Sequence, residues 1–162
     1  MLKAFQLRAA RSVIGIGVRD VGLYLGVSRT IVSKWEQQPP LSHLRSNVTN
    51  PNSLEFFFKQ HGVLFPDSLS VSLATSDLNN KPGHLTRFQL RAARAALSLT
   101  QEELATKSLI PLLVINYLES QSNTTFLNST KKEIDEYILI KFFEKQGIIF
   151  RGNFCISFAE NI

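Results

Sequence analysis

The sequence holds 162 residues, 44% of them apolar, with 18 Lys and Arg against 13 Asp and Glu and a single cysteine. That apolar share supports a folded core rather than disorder, and no apolar run approaches the roughly 18 residues of a bilayer span. The positive excess is local: the first 45 residues carry seven Lys or Arg against Asp20 and Glu36, and the remainder is balanced at 11 of each. Charge gathered in this way fits a contact surface for nucleic acid or an acidic membrane face. The start of the chain makes a poor secretion signal, because its longest apolar stretch, Val13 to Val18, contains two glycines and follows Arg8 and Arg11. A cytoplasmic protein is the expectation.

In chain order, Leu7, Ala10, Arg11 and Ile14 fall at helical spacing and predict a first helix. Asp20 to Leu25, a turn at Gly26, and Ser28 to Gln37 read as two further helices, with Ser28 suited to cap the second of them. Asn50-Pro51 opens a later helix and Gly62 stops it. Val63-Leu64-Phe65, a turn at Pro66-Asp67, and Leu69 to Leu73 then read as a β-hairpin.

After the polar stretch Thr75 to Gly83 the pattern begins again. Phe5-Gln6-Leu7-Arg8-Ala9-Ala10-Arg11 recurs as Phe88-Gln89-Leu90-Arg91-Ala92-Ala93-Arg94, seven identities at an offset of 83. A second match, Phe57 to Phe65 with Phe142 to Phe150, runs at an offset of 85, so a two-residue slip lies in the loop between. In the second copy Thr100 with Glu103 forms a capping box, Thr130 with Glu133 opens the later helix, and Gly147 ends it. The expected fold is therefore mainly α with small β-hairpins. It is a tandem duplication at residues 1–74 and 84–162, joined by a linker at 75–83, each copy having four to five helices and a C-terminal hairpin. An isolated hairpin is marginal in water, so its apolar face is expected to pack on helices or on the other copy.

Gln6 to Gln37 resembles the helix-turn-helix of the Cro/lambda-repressor class, the xenobiotic-response-element family. The residues that carry the resemblance are Arg11, Val18-Arg19-Asp20-Val21 and Gly26 to Glu36 in the first copy, with Arg94, Leu99 to Ala105 and Tyr117-Leu118-Glu119 in the second. The family implies an ion pair between Arg11 and Glu36 and another between Arg94 and Glu119, each pair 25 residues apart, tying the first helix to the end of the third. The other role open to Arg11 is a phosphate contact. The resemblance also implies a third helix that enters the major groove of double-stranded DNA. There Ser28, Arg29, Thr30, Ser33 and Lys34 would face the bases while Ile31, Val32 and Trp35 face inward. Arg19 and Arg45 would meet phosphates, and Gln101 occupies the position at which the family often contacts phosphate.

The second copy departs from the family at the base-reading positions. Pro111, Leu112 and Leu113 stand where the first has Ser28, Arg29 and Thr30, and Leu109 replaces the turn residue Gly26. An exposed Leu112-Leu113 pair implies a protein contact or a repacked core, and the interface residues expected are Leu112, Leu113 and Tyr117. The expectation is a DNA-binding transcriptional regulator, a repressor-type protein of the nucleoid, homodimeric, whose first copy reads DNA and whose second serves assembly. The alternative is an antiactivator or antirepressor that seizes another regulator through the apolar second copy. No membrane contact, metal, cofactor or enzymatic activity is expected. His43, His61 and His84 have no carboxylate or thiol at ligand spacing, and Cys155 sits among apolar hairpin residues with no activating neighbour.

Overall fold

The computed structural model describes residues 2–44, 53–75 and 80–160. Its helices are α1 (Ala4–Ile14), α2 (Val18–Leu25), α3 (Arg29–Glu36) and α4 (Ser53–Gln60), followed by the strands β1 (Val63–Leu64) and β2 (Ser70–Leu73). The second half repeats this order as α5 (Arg87–Ala96), α6 (Gln101–Ser108), α7 (Leu112–Glu119), a 3-10 turn at Leu127–Ser129, α8 (Glu136–Lys145), β3 (Ile148–Arg151) and β4 (Cys155–Phe158). The chain is thus mainly helical with one small antiparallel sheet. The start expected for Asn50-Pro51 lies outside the described residues.

Local chemistry accounts for most helix ends. The Ser28 hydroxyl accepts from the Ile31 amide at 3.3 Å. Thr100 and Glu103 satisfy one another's amides at 3.0 and 3.1 Å, closing the capping box at the head of α6. One expected start is displaced. Thr130 donates its hydroxyl to the Leu127 carbonyl at 2.9 Å and so closes the 3-10 turn. The later helix begins instead at Glu136, where Asp135 accepts from the Tyr137 amide at 3.0 Å.

The hairpins do not stand apart. The sheet order is β1-β2-β4-β3, and the two halves join where β2 pairs with β4 through Ser70–Ser157, Val71–Ile156 and Ser72–Cys155. Val71 and Ile156 are fully buried at that seam, and the two serine hydroxyls meet at 2.7 Å. One core runs through both halves. Phe5 of α1 packs edge-on against Phe158 of β4 with ring centroids 4.9 Å apart. Below the sheet α1 lies on α5, and the repeated alanines Ala9, Ala10, Ala92 and Ala93 are sealed from solvent, which lets two helices approach closely.

The amide nitrogen of the repeated glutamine does the same job in both halves. Gln6 Nε2 donates to the carbonyls of Asp67 and Ser70, both at 3.0 Å, and Gln89 Nε2 donates to those of Gly152 and Cys155 at 2.8 and 3.1 Å. Each therefore clamps a hairpin turn onto its first helix. The backbone also locates the two-residue slip. The Leu44 amide bonds the Leu2 carbonyl and the Leu127 amide bonds that of Leu85, still 83 residues apart, so the slip lies beyond Leu44 and Leu127.

Turn geometry is shared even where sequence is not. Gly15 and Gly26 have φ of 73° and 72°, and their counterparts Ser98 and Leu109 have 56° and 62°. A branched side chain in the left-handed region costs on the order of 1–2 kcal/mol, part of which glycine gives back through its freer unfolded chain. Leu109→Gly is accordingly expected to raise the unfolding free energy by about 1 kcal/mol, measurable as a higher urea midpoint. An unchanged or lower midpoint would mean that the Leu109 side chain is held by contacts worth more than its strain.

Candidate nucleic-acid interface

The third helix of each half is fixed by an arginine on the first. Arg11 Nη2 lies 2.8 Å from Glu36 Oε1, its Nε 2.9 Å from the same oxygen, and its Nη1 donates to the Ile16 carbonyl at 3.0 Å. Arg94 repeats the design more tightly. Its Nε and Nη2 each meet a Glu119 carboxylate oxygen at 2.6 Å, and Nη1 donates to the Leu99 carbonyl at 2.7 Å. Each guanidinium thereby ties together the first helix, the turn before the second and the end of the third. In the Arg94–Glu119 pair the parallel, two-bond geometry fixes orientation as well as distance.

So held, the first turn of α3 stands clear of the core. Ser28, Arg29, Thr30 and Lys34 are exposed, and Ser33 is half-buried. Val32 and Trp35 are buried as expected, but Ile31 is 41% exposed, because it sits in that protruding first turn rather than over the core. Among the described residues Arg19, Arg29 and Lys34 have no ion-pair partner. Arg19 on α2 and Arg29 on α3 line one shallow concavity of about 330 Å³ together with Leu23, Val27 and Ser28. The structure therefore brings a residue expected at phosphate next to one expected at bases. Arg45 lies outside the described residues.

The second half has a concavity at the corresponding place, lined by Glu102, Ala105, Thr106, Leu109, Ile110, Pro111 and Leu112. By the offset of 83, Glu102 stands for Arg19 and Leu112 for Arg29. Two cations have become a carboxylate and an alkyl chain, which removes attraction for phosphate and adds repulsion. The Arg19 to Glu102 exchange was readable in the aligned repeats and is missed when attention stays on the third helix. Gln101 is half-buried and followed by two exposed glutamates, Glu102 and Glu103.

The apolar surface here differs from the expected Leu112-Leu113 pair. Leu112 and Tyr117 are half-buried, while Leu113 is 78% and Leu109 89% exposed. Successive residues at the head of α7 point about 100° apart, and here the two neighbours differ in exposure. Leu109 joins the patch because its left-handed turn projects the side chain away from the core.

Arg8, counted with the basic surface in the sequence, is spent elsewhere. It is buried between the halves, donating to the carbonyls of Ala95 and Ala96 at the end of α5 and of Glu36 and Gln38 at the end of α3. Burial lowers its pKa from the ordinary value, with the Glu36 charge opposing. The exposed positive surface of the first half is therefore smaller than its composition suggests and centres on Arg19, Arg29 and Lys34.

Tertiary structure gives His84 a carboxylate that its sequence context lacks: Nδ1 lies 2.7 Å from Glu136 Oε2. No group of three His, Cys, Asp or Glu among the described residues is arranged to hold a metal. Cys155 is half-buried, and burial pushes its thiol pKa up, away from the reactive thiolate. Among the described residues no helix is long and apolar enough to cross a membrane. No protein-family model, characterised protein or solved structure matches this chain.

Proposed function

We propose that this chain is a sequence-specific DNA-binding transcriptional regulator built from two copies of a helix-turn-helix domain, residues 1–74 and 84–162. The first copy reads the major groove through α3. In this reading Arg29 bonds guanine, Ser28, Thr30 and Ser33 reach base edges or phosphate, and Lys34 and Arg19 neutralise the backbone. The second copy serves assembly. The observation that supports this reading is the contrast between two equivalent concavities, Arg19-Ser28-Arg29 in one half and Glu102-Pro111-Leu112 in the other. One reading helix touches few base pairs, so two chains in a homodimer would present two α3 helices to half-sites about 34 Å apart. Such a protein works at the nucleoid in the cytoplasm.

The test is fluorescence anisotropy on duplexes selected from a randomised pool. Arg29→Ala with Lys34→Ala is expected to weaken binding roughly 10- to 100-fold, and losing the Lys34 contact to lower the salt slope by about one. Equal affinity in the double variant would remove α3 from the interface. A second reading, capture of another regulator, is favoured by the exposure of Leu109 and Leu113. It predicts a pull-down lost on Leu113→Asp together with no duplex retention at low salt.

A further inference from the structure

An open cleft of about 1110 Å³ runs between the two halves, and its walls include Arg8, Arg11, Arg91 and Arg94. Three of these cations are accounted for: Arg11 and Arg94 are paired with Glu36 and Glu119, and Arg8 is enclosed by four carbonyls. Arg91 is the counterpart of Arg8 at the offset of 83, and by symmetry it should close on the carbonyls of Ser12, Val13, Glu119 and Gln121. It does not. Arg87, which stands where the first half has Ala4, takes the Glu119 carbonyl with Nε at 3.0 Å and the Val13 carbonyl with Nη1 at 3.2 Å. Asn123, in place of Pro40, bonds Val13 as well at 3.0 Å.

Displaced from those acceptors, Arg91 keeps one hydrogen bond among the described residues, Nε to Ser12 Oγ at 3.1 Å. The two terminal amino groups of its fork are left without a protein partner, half-buried in the cleft. Burial, with the charges of Arg94 and Arg11 acting in the same direction and Glu119 against them, lowers its pKa. Arg87 and Asn123, which stand where the first half has alanine and proline, thus leave a bidentate donor facing a groove whose other guanidinium groups are already partnered. A planar guanidinium fork matches the oxygens of phosphate.

We infer that this cleft is a phosphate-binding site, with Arg91 as the bidentate donor. The phosphate is carried either by a small molecule or by a nucleic-acid backbone. Of the residues proposed to meet DNA only Ser33 lines this cleft, and the site stands without the DNA-reading proposal because its donor is Arg91, on α5 of the other half.

The test uses the full chain, with pyrophosphate as the probe against chloride at equal ionic strength, read by calorimetry and thermal shift. Arg91→Met removes the fork. Ser98→Asp sets a carboxylate in the cleft wall at an exposed position whose φ of 56° aspartate tolerates, so it leaves the helix packing untouched. Saturable binding by the wild type, weakened roughly tenfold or more by either variant, is the expected result. No binding beyond chloride, or equal binding by Ser98→Asp, overturns the site. With a selected duplex added, displacement by pyrophosphate and weaker binding by Ser98→Asp assign the phosphate to the DNA backbone. Duplex affinity indifferent to both assigns it to a small molecule, as does binding of pyrophosphate by a chain that binds no duplex at all.

Discussion

Replacing Arg94 by alanine is expected to lower the unfolding free energy by about 3–5 kcal/mol, the cost of breaking a buried ion pair from one side. The Glu119 carboxylate is 1% exposed and would be left charged and dry, and the Leu99 carbonyl would lose its donor. Arg11→Ala should cost less, about 1–3 kcal/mol, because Arg11 is 28% exposed and water can enter where the guanidinium was. Urea denaturation of the two variants checks both the size and the order. The double variant Arg94→Ala with Glu119→Ala should lose less than the sum of its parts, since it no longer strands a charge. A loss below about 1 kcal/mol for Arg94→Ala would reduce the pair to a surface contact.

Phe143→Ala is expected to destabilise the protein by about 3–5 kcal/mol through lost burial and the cavity it leaves. Phe143 is fully buried in α8, in the second half. The chain's only tryptophan, Trp35, is buried in the first half and reports on that half alone. Because one core and one sheet run through both halves, the midpoint seen by Trp35 fluorescence should fall together with the midpoint seen by far-ultraviolet circular dichroism. A Trp35 transition that stays in place while the circular dichroism splits in two would show halves that unfold independently.

Much of the fold was legible because its signals are local. Ser28 and Thr100 are caps whose hydrogen bonds close within three residues, and the hairpins announce themselves by alternation around a turn. The Arg11–Glu36 and Arg94–Glu119 contacts, 25 residues apart, were reached through the resemblance rather than through spacing, which alone says nothing about approach in space. Thr130 differs for a physical reason: a hydroxyl that can cap a helix by accepting can equally close the turn before it by donating, and here it donates to the Leu127 carbonyl. The exposed faces of short helices were also read too simply. With two turns per helix, packing at one end decides exposure, as Ile31 and Leu112 illustrate.

What the sequence determined by itself is the repeated order of elements, the location of the positive excess and the divergence of the two third helices. Each depends on residue identity and spacing along the chain. What the tertiary structure decided is which charges remain available. Arg8 and Arg91 are the same residue in the same heptapeptide, yet one is enclosed by four carbonyls and the other keeps a free fork, because Arg87 and Asn123 reach the competing acceptors first. Hydrogen bonds compete for acceptors in space, and the competitors lie up to about a hundred residues away in sequence. The same reason joins β2 to β4: with α1 packed on α5, the two strand edges lie side by side and satisfy one another.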